Sequence, residues 1–159
     1  MDKDFRELLS ELNAHNVKYL IVGGYAVSFH SEPRATKDLD LFVQPSLENA
    51  QAIFQALSSF GAPLTDYAAE DFLDPDSVYQ IGVAPYRIDI LQKIDGVDFD
   101  SAWQHRVQGR VSTDDPLEAN YISAEDLVRN KIATGRPRDL ADASEIQASL
   151  RLTRSKQES

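Results

Sequence analysis

Residues 38–43 read Asp-Leu-Asp-Leu-Phe-Val. The alternation predicts a β-strand, because successive side chains of a strand point to opposite faces. Asp38 and Asp40 then share one face at the start of the strand, while the two leucines and Val43 face the core. Two carboxylates this close repel each other unless a cation joins them, and hard oxygen ligands suit magnesium. The alternative is that two acids at a strand end are simply solvated.

A glycine pair precedes this strand. Residues 19–24 read Tyr-Leu-Ile-Val-Gly-Gly, which predicts a buried strand that ends in a tight turn, with a short helix following over 25–30. Such a turn lets the backbone N–H groups of Gly23 and Gly24 approach a phosphate, although a glycine pair often serves only as a turn. Thirteen residues separate Gly24 from Asp38, enough for a short helix to leave the sheet and return to an adjacent strand.

A third acid repeats the pattern of the first two. Residues 87–91 read Arg-Ile-Asp-Ile-Leu, so Asp89 lies on the face opposite to the isoleucines. An acid in so apolar a strand is costly to bury unless something pairs with it. The partner is a cation shared with the other aspartates or, alternatively, the side chain of Arg87. The strands predicted over 77–83 and 86–91 are joined at Ala84-Pro85 as a hairpin.

The remaining segments predict helices on both sides of a sheet, with the strands early and the helices gathered late. Residues 1–152 form one domain in this interpretation, followed by a polar tail at 153–159. The other predicted elements are an amphipathic helix over 3–15, a helix over 47–60, an acidic loop over 62–76, a short helix over 99–106, a short strand over 120–122, and C-terminal helices over 124–133 and from 137 to about 150.

The composition is that of a globular protein and excludes several kinds of site. Hydrophobic residues make up 42% and charged residues 26% of the 159. Without cysteine, the chain has no disulfide, no thiolate metal site and no cysteine nucleophile. The N-terminus lacks the features of a secretory signal, and no apolar run approaches the roughly 18 residues of a membrane helix. We therefore expect a cytoplasmic protein with no membrane partner.

The formal net charge of −10 argues against a protein that coats nucleic acid by bulk electrostatics. Residues 129–159 nevertheless hold seven of the sixteen lysines and arginines against four acids, a local balance of +3. This asymmetry suits a local contact with phosphate, or alternatively a solvated basic helix.

Taken together, three motifs resemble a known superfamily. They are Gly23-Gly24, the Arg-Ala-Thr-Lys-Asp-Leu-Asp-Leu of residues 34–41, and the later strand that carries Asp89. This set resembles the polymerase-β-type nucleotidyltransferases, and in particular their small bacterial members of the abortive-infection toxin type and the minimal nucleotidyltransferase type. Many members carry Gly-Ser in place of the glycine pair, so a hydroxyl contact to phosphate is missing here.

The C-terminal part adds to this resemblance. Residues 127–131 followed by residues 136–142 are similar to the helical signature of the abortive-infection group. The resemblance therefore covers residues 17–145. It implies a nucleotidyltransferase fold of the α/β (α+β) class, with a mixed β-sheet flanked by helices and a helical C-terminal part.

The resemblance also implies an activity, the transfer of a nucleoside monophosphate from an NTP, with ATP among the expected nucleotides, to a hydroxyl acceptor. Two Mg²⁺ ions, or Mn²⁺ in their place, would be held by Asp38, Asp40 and Asp89. Asp38 and Asp40 would bridge both ions, about 3.5–4 Å apart in such sites. Asp89 would complete the site of one ion and help to deprotonate the acceptor.

Phosphate contacts are expected from the backbone of the glycine pair and from basic side chains. Lys131 and Lys37 are the candidates, with Arg34 and Arg138 as weaker ones. For Lys131 an alternative exists, because a basic residue in the last turn of a helix complements the helix dipole. Asp139 and Asp142 likewise lie near the start of the helix beginning at Pro137, where acids are favoured.

The acceptor stays open among an RNA 3′ end such as that of tRNA, a protein hydroxyl and a small molecule. A second function is an antitoxin or partner-binding module that neutralises a toxin protein by capping it or by modifying it with a nucleotide. A third is a degenerate transferase that binds NTP without chemistry, against which the three intact aspartates argue. Because little chain is left for an acceptor-binding domain, a homodimer or a hetero-complex would complete that site.

Overall fold

The computed structural model describes residues 1–82 and 85–158. In chain order the elements are α1 (Lys3–Ala14), β1 (Tyr19–Val22), α2 (Gly23–His30), β2 (Asp38–Val43), α3 (Leu47–Phe60), a 3₁₀ turn (Ala69–Leu73), β3 (Val78–Ile81), β4 (Arg87–Leu91), α4 (Phe99–Gln104), β5 (Val107–Ser112), β6 (Asp115–Tyr121), α5 (Ala124–Thr134) and α6 (Pro137–Glu158). The strands form one sheet in the order β3-β4-β2-β1-β6-β5. The sheet is mixed, because β1 pairs in parallel with β6 and β2 with β4, whereas the other neighbours are antiparallel.

The central strands show why the carboxylates stay at the surface. All four residues of β1 are buried, as its unbroken apolar run predicts. In β2, Leu39 and Leu41 are fully buried, while Asp38 and Asp40 remain partly exposed. The predicted alternation is therefore present, and it directs both acids to the face opposite to the leucines.

The helices cover the sheet in two packed pairs, α1 with α3 and α5 with α6. The apolar stripe of α1 (Phe5, Leu8, Leu9 and Leu12) is buried, as expected for an amphipathic helix. Helices α1, α3, α4 and α5 each begin with an Asp or Ser whose side chain accepts a hydrogen bond from a backbone N–H in the first turn. None of the helices in the described residues is both long and apolar enough to cross a membrane.

The structure corrects the sequence-based elements at the C-terminal third. Strand β5 was not predicted, and β6 begins at Asp115 rather than near residue 120. Both strands are largely polar and exposed along much of their length, so they lack the apolar alternation that marks a half-buried strand. Helix α6 continues to Glu158 through the predicted polar tail, since no glycine or proline follows Pro137 to stop it.

The hairpin predicted at Ala84-Pro85 lies partly outside the described residues, because the description omits residues 83 and 84. The strands on either side of it pair antiparallel, from Val78 with Leu91 to Ile81 with Ile88.

Candidate active site

The three aspartates predicted to act together lie on two neighbouring strands. In the parallel pairing of β2 with β4, Asp40 is opposite Asp89 and Asp38 is opposite Arg87. Paired positions of adjacent strands direct their side chains to the same face of a sheet. The register therefore places all three carboxylates on one face, close to the end of β1.

Arg87 is the cation that this pairing brings next to the acids. Its Nε lies 3.2 Å from Asp89 Oδ1, and its Nη2 lies 4.0 Å from Asp38 Oδ2. Asp89 is buried, with 9% of its surface exposed. The Nε–H is not aligned with Asp89 Oδ1, so this buried oxygen accepts no hydrogen bond from any described residue. The salt bridge considered from the sequence is thus present, but it leaves part of Asp89 unsatisfied.

The surroundings of Asp40 oppose its ionisation. Burial raises the pKa of Asp40 to about 6, and the nearby charges of Asp89 and Asp38 add to the rise, while Arg87 and Lys131 counteract it. Within the described part of the chain, no hydrogen bond or ion pair reaches the Asp40 carboxylate. Asp40 is therefore a carboxylate whose negative charge lacks a direct protein partner.

Oxygen donors in this arrangement suit a divalent cation. A cation on this face would offset the repulsion among the acids and would offer a partner to the unsatisfied Asp89 oxygen. Among the described residues, no three acidic or histidine side chains already form a group that could hold an ion. The donor chemistry and the shared face fit a metal, although the carboxylates do not yet converge on one point.

Helix α2 begins beside these carboxylates. Gly23, its first residue, has a φ of +69°, and a Cβ there would collide with Asp40 Oδ2. Only glycine therefore suits both the backbone and the close approach of Asp40. Unlike α1, α3, α4 and α5, helix α2 has no side-chain cap at its start and no acid in its first turn. Its first N–H groups are thus available to an anion.

A side chain at position 24 would also meet a close neighbour. A Cβ at this position would lie 2.8 Å from Thr36 Cγ2, closer than real Cβ contacts allow. The methyl group of Thr36 fills the space that a serine side chain would need. A serine at this position would therefore require the Thr36 side chain to shift.

A cleft of ≈ 590 Å³ opens beside the glycines and carboxylates, within the range of about 300–1,000 Å³ typical of ligand sites. Gly23, Gly24, Asp38 and Asp40 form one side, and residues of α5, α6 and the loop between them form the other. The loop before β2, residues 34–37, completes the lining. Asp89 is not part of the lining and lies one strand away.

The second wall of the cleft is a network of ion pairs. Lys131 Nζ lies 2.9 Å from Asp139 Oδ1 and 3.4 Å from Asp142 Oδ2, and the Lys131 side chain is only 12% exposed. Thr134 Oγ1 and Arg136 Nε each donate to Asp139 Oδ2 at 2.7 Å. Burial opposes ionisation of Asp139, but these donors outweigh it and lower its pKa to about 2. Lys131 lies in the last turn of α5, as predicted, yet it also joins α5 to α6.

The other basic residues considered for phosphate contacts, Arg34, Lys37 and Arg138, differ in whether they form ion pairs. Arg34 donates to Asp142 at 3.1 Å and to Glu145 at 2.8 Å, so it ties the loop before β2 to α6. Lys37 and Arg138 line the cleft, are exposed, and make no ion pair in the part of the chain that the structure describes. These two are the cations most accessible to a phosphate.

Sequence reasoning missed Thr36 and Arg136, which also line the cleft. Thr36 stands two residues before Asp38, a spacing that carries no recognised signal. Arg136 lies just before α6 and precedes Asp139 by three residues, and this i,i+3 spacing could have revealed the pair.

Comparisons with known proteins identify the family and the fold. A family model described as "Nucleotidyltransferase of unknown function (DUF6036)" matches residues 1–153. The crystal structure of the lincosamide antibiotic adenylyltransferase LnuA with lincomycin bound is similar with a TM-score of 0.58 at 15% identity, over 94% of this chain and 98% of that chain. No curated protein sequence matches. The predicted polymerase-β-type nucleotidyltransferase fold is thereby confirmed.

Proposed function

Because the chain belongs to the nucleotidyltransferase family DUF6036, we propose that this enzyme transfers a nucleoside monophosphate from a magnesium-bound NTP to a hydroxyl group in the cleft between β2 and α6. Residues 1–152 act as the single domain that carries the activity. Asp38, Asp40 and Asp89 hold the divalent ions, for which Mn²⁺ is the alternative. Gly23, Gly24, Lys37 and Lys131 contact the triphosphate.

The observation that carries this proposal is the unsatisfied negative charge beside an uncapped helix start. Asp40 and Asp89 are register neighbours, the pKa of Asp40 is raised to about 6, and Asp89 Oδ1 accepts no hydrogen bond from the described residues. Gly23 packs directly against Asp40. The acids favour a cation and the start of α2 favours an anion. A magnesium nucleotide supplies both, since the metal ion meets the carboxylates and the phosphates meet the helix N–H groups.

The proposed reaction is an in-line displacement at the α-phosphorus. The acceptor oxygen bonds to the α-phosphorus, the bond to the oxygen that bridges to the β-phosphate breaks, and pyrophosphate leaves. The acceptor proton passes to a carboxylate, for which Asp89 is our candidate. Bound magnesium supplies charge neutralisation on the phosphate oxygens and lowers the pKa of a coordinated hydroxyl. The N–H groups of Gly23 and Gly24 orient the triphosphate.

Lys131 has a double role in this proposal. Its ion pairs with Asp139 and Asp142 hold it in the cleft, 12% exposed, and its charge lowers the pKa of Asp40 from across the cleft. A fixed cation facing the carboxylates is well placed to meet a phosphate oxygen without losing side-chain entropy on binding.

For the acceptor, the comparison favours an activity that needs no further domain. LnuA, which binds lincomycin, is matched over 98% of its chain. A small-molecule hydroxyl is therefore the first acceptor to test, followed by tRNA and by a partner toxin protein. An acceptor site completed by a homodimer or by a hetero-complex is compatible with the same chemistry.

Labelled NTPs provide the experiment. The purified chain is incubated with Mg²⁺ and each of the four α-³²P-labelled NTPs, with lincomycin, total tRNA or a cell extract as the acceptor source. We expect label to move to one acceptor class with release of pyrophosphate, and Asp40→Asn to abolish it. Label transfer that persists in Asp40→Asn would contradict the assignment of the site. NTP binding without transfer to any acceptor would contradict the proposed reaction.

A further inference from the structure

A smaller cavity, of ≈ 240 Å³, lies at the far end of β4 from the carboxylate cluster. It forms between the segment that contains the 3₁₀ turn and the ends of β3 and β4, with Gln92 at its base. Gln92 follows Asp89 by three residues, a rise of about 10 Å along a strand. The cavity is below the range of about 300–1,000 Å³ typical of drug-sized or cofactor ligands. It shares no lining residue with the proposed nucleotide cleft, and its volume suits a small chemical group.

The segment that forms one side of this cavity is acidic. Residues 38–86 contain no lysine, arginine or histidine, and residues 62–77 carry five acids. Asp66 and Asp71 line the cavity, and none of the five acids forms an ion pair within the described residues. These acids favour a cation as the ligand, and the basic residue nearest to Gln92 in the sequence is the exposed Lys93.

The cavity walls are aromatic as well as acidic. Tyr67, Phe72 and Tyr79 line it, with the Tyr67 and Tyr79 ring centroids 4.7 Å apart at 87° and those of Phe72 and Tyr79 5.6 Å apart at 67°. Phe72 and Tyr79 are buried, whereas Tyr67 is exposed, so Tyr67 is the ring most open to an organic cation, which aromatic faces attract. A strongly hydrated inorganic ion gains little from such walls.

Gln92 adds a hydrogen-bond acceptor that lacks a donor. The residue is 4% exposed, it lines the cavity, and its Oε1 accepts no hydrogen bond from any described residue. A buried amide oxygen without a donor is costly, so its presence beside a cavity calls for a ligand with an N–H group. Rotation of the amide brings either end of it toward the cavity.

We propose that this cavity binds a primary ammonium group on an aliphatic stem. The ammonium donates to Gln92 and is neutralised by Asp66 and Asp71, while the methylene groups pack on the rings of Tyr67 and Tyr79. Both a lysine side chain of a partner polypeptide and a free alkyl diamine have this chemistry. The site is independent of nucleotide transfer, since it shares no lining residue with the larger cleft.

The direct test is titration of the full-length protein with n-butylammonium, followed by calorimetry and by the NMR signals of the glutamine side-chain amides. We expect saturable binding that shifts the Gln92 signal, and none with the neutral isostere 1-butanol. Equal binding of both compounds, or no saturable binding of n-butylammonium, overturns the proposal.

Variants locate the contacts. Gln92→Met removes the acceptor and should weaken n-butylammonium binding about tenfold or more, without lowering the melting temperature, because the lost acceptor had no partner. Asp66→Asn, at an exposed position with no described contact, should weaken binding about two- to fivefold. The matched control Asp76→Asn removes the same charge from the same segment outside the cavity and should leave affinity within about twofold. An equal loss in Asp66→Asn and Asp76→Asn would show unspecific attraction and overturn the site.

Two probes distinguish the source of the ammonium group. A lysine-containing pentapeptide and 1,4-diaminobutane are compared under the same conditions. Tighter binding of the peptide supports the site with a polypeptide as its partner, and tighter binding of the diamine supports it with a polyamine. Failure of both probes to compete with n-butylammonium contradicts the proposal.

Discussion

The two walls of the cleft use the same residue type in opposite ways. On the α5–α6 wall, Asp139 receives three hydrogen bonds and its pKa is lowered to about 2. On the sheet wall, Asp40 lacks a direct partner in the described structure and its pKa is raised to about 6. Both side chains line one cleft. The charges of one wall are therefore paired within the protein, while we propose that a bound ligand pairs those of the other.

This difference distinguishes a carboxylate that stabilises the fold, Asp139, from one that we assign to ligand binding, Asp40. A buried carboxylate surrounded by donors stabilises the folded state, whereas like charges held together without a counterion oppose it. Proteins retain the second arrangement at sites where a ligand supplies the missing charge. The Asp139 network holds Lys131, and in our proposal a cation supplies the missing charge at the aspartates of β2 and β4.

The largest expected effect concerns Asp89, on the incomplete wall. Asp89→Asn keeps the size of the side chain but loses the charge needed to accept the acceptor proton. Transfer should fall by about 10²–10⁴-fold, while NTP affinity largely survives. Single-turnover transfer and equilibrium NTP binding are measured on the same preparation. Equal loss of both would reassign Asp89 as a ligand of the nucleotide metal or as a structural partner of Arg87.

The next effect concerns Lys131, on the complete wall. Lys131→Met leaves Asp139 and Asp142 without their shared cation and should cost about 2–4 kcal/mol of unfolding free energy, since Arg136 and Arg34 compensate only in part. Lys37→Met makes the same chemical change at an exposed position and is the matched control, with stability expected within about 0.5 kcal/mol of wild type. Urea denaturation measures both. Equal stabilities of the two variants would contradict the network as a structural element.

Asp40 and Asp139 should respond to pH with opposite signs. The folded-state pKa of Asp40 is raised, so its contribution to stability is present below about pH 4 and lost as pH rises through about 6. Asp40→Asn should therefore raise ligand-free stability above pH 6 by about 1–3 kcal/mol. The folded-state pKa of Asp139 is lowered, so its contribution is present above about pH 4 and lost as pH falls toward 2. Asp139→Asn should destabilise the protein at neutral pH.

Unfolding free energies of both variants between pH 4 and 8 test this contrast. The difference between Asp40→Asn and wild type should vanish toward pH 4 and grow toward pH 8. Asp139→Asn should stay less stable than wild type across this range, because the contribution of Asp139 is lost only as pH falls toward 2. Destabilisation of the ligand-free protein by Asp40→Asn at pH 7 would show that the carboxylate is satisfied in the folded state.

The smallest effect concerns the exposed cations at the mouth of the cleft. Lys37→Ala should weaken NTP binding about two- to fivefold, as expected for a solvent-exposed charge contact, and the loss should diminish with added salt. Lys93→Ala, an exposed lysine outside the cleft, is the control. Identical affinities of the two variants would remove Lys37 from the phosphate site.

The sequence was most informative where side chains alternate between two environments. In β2 and β4 the alternation of acidic and apolar residues predicted the strands and placed each acid opposite its apolar neighbours, because period two admits one burial pattern. That Asp89 acts with Asp38 and Asp40 was implied by the family resemblance. The apolar stripe of α1 likewise predicted its helix correctly. Strand β5 and the first part of β6 could not be predicted in this way, since most of their residues are polar or exposed. These strands form by pairing with each other and with the rest of the sheet.

The electrostatic character of the site could be predicted only in part. Acid spacing indicated repulsion at Asp38 and Asp40, but the ion pairs of Lys131 join residues that are 8 and 11 positions apart on two helices. Their approach depends on the turn between α5 and α6. The collision that requires glycine at position 24 involves Thr36, twelve residues away, and is likewise a product of tertiary packing.

The melting temperature of wild type and Asp40→Asn at pH 7.5, with and without Mg²⁺ and a non-hydrolysable NTP analogue, tests the incomplete wall most directly. A ligand that binds only the folded state at a hundred times its Kd stabilises it by about 2.7 kcal/mol. Without ligand, we expect Asp40→Asn to melt at a higher temperature than wild type. The ligand should raise the melting temperature of wild type and leave that of Asp40→Asn unchanged. The same ligand-induced shift in both proteins would contradict the assignment of Asp40 to the metal-nucleotide site.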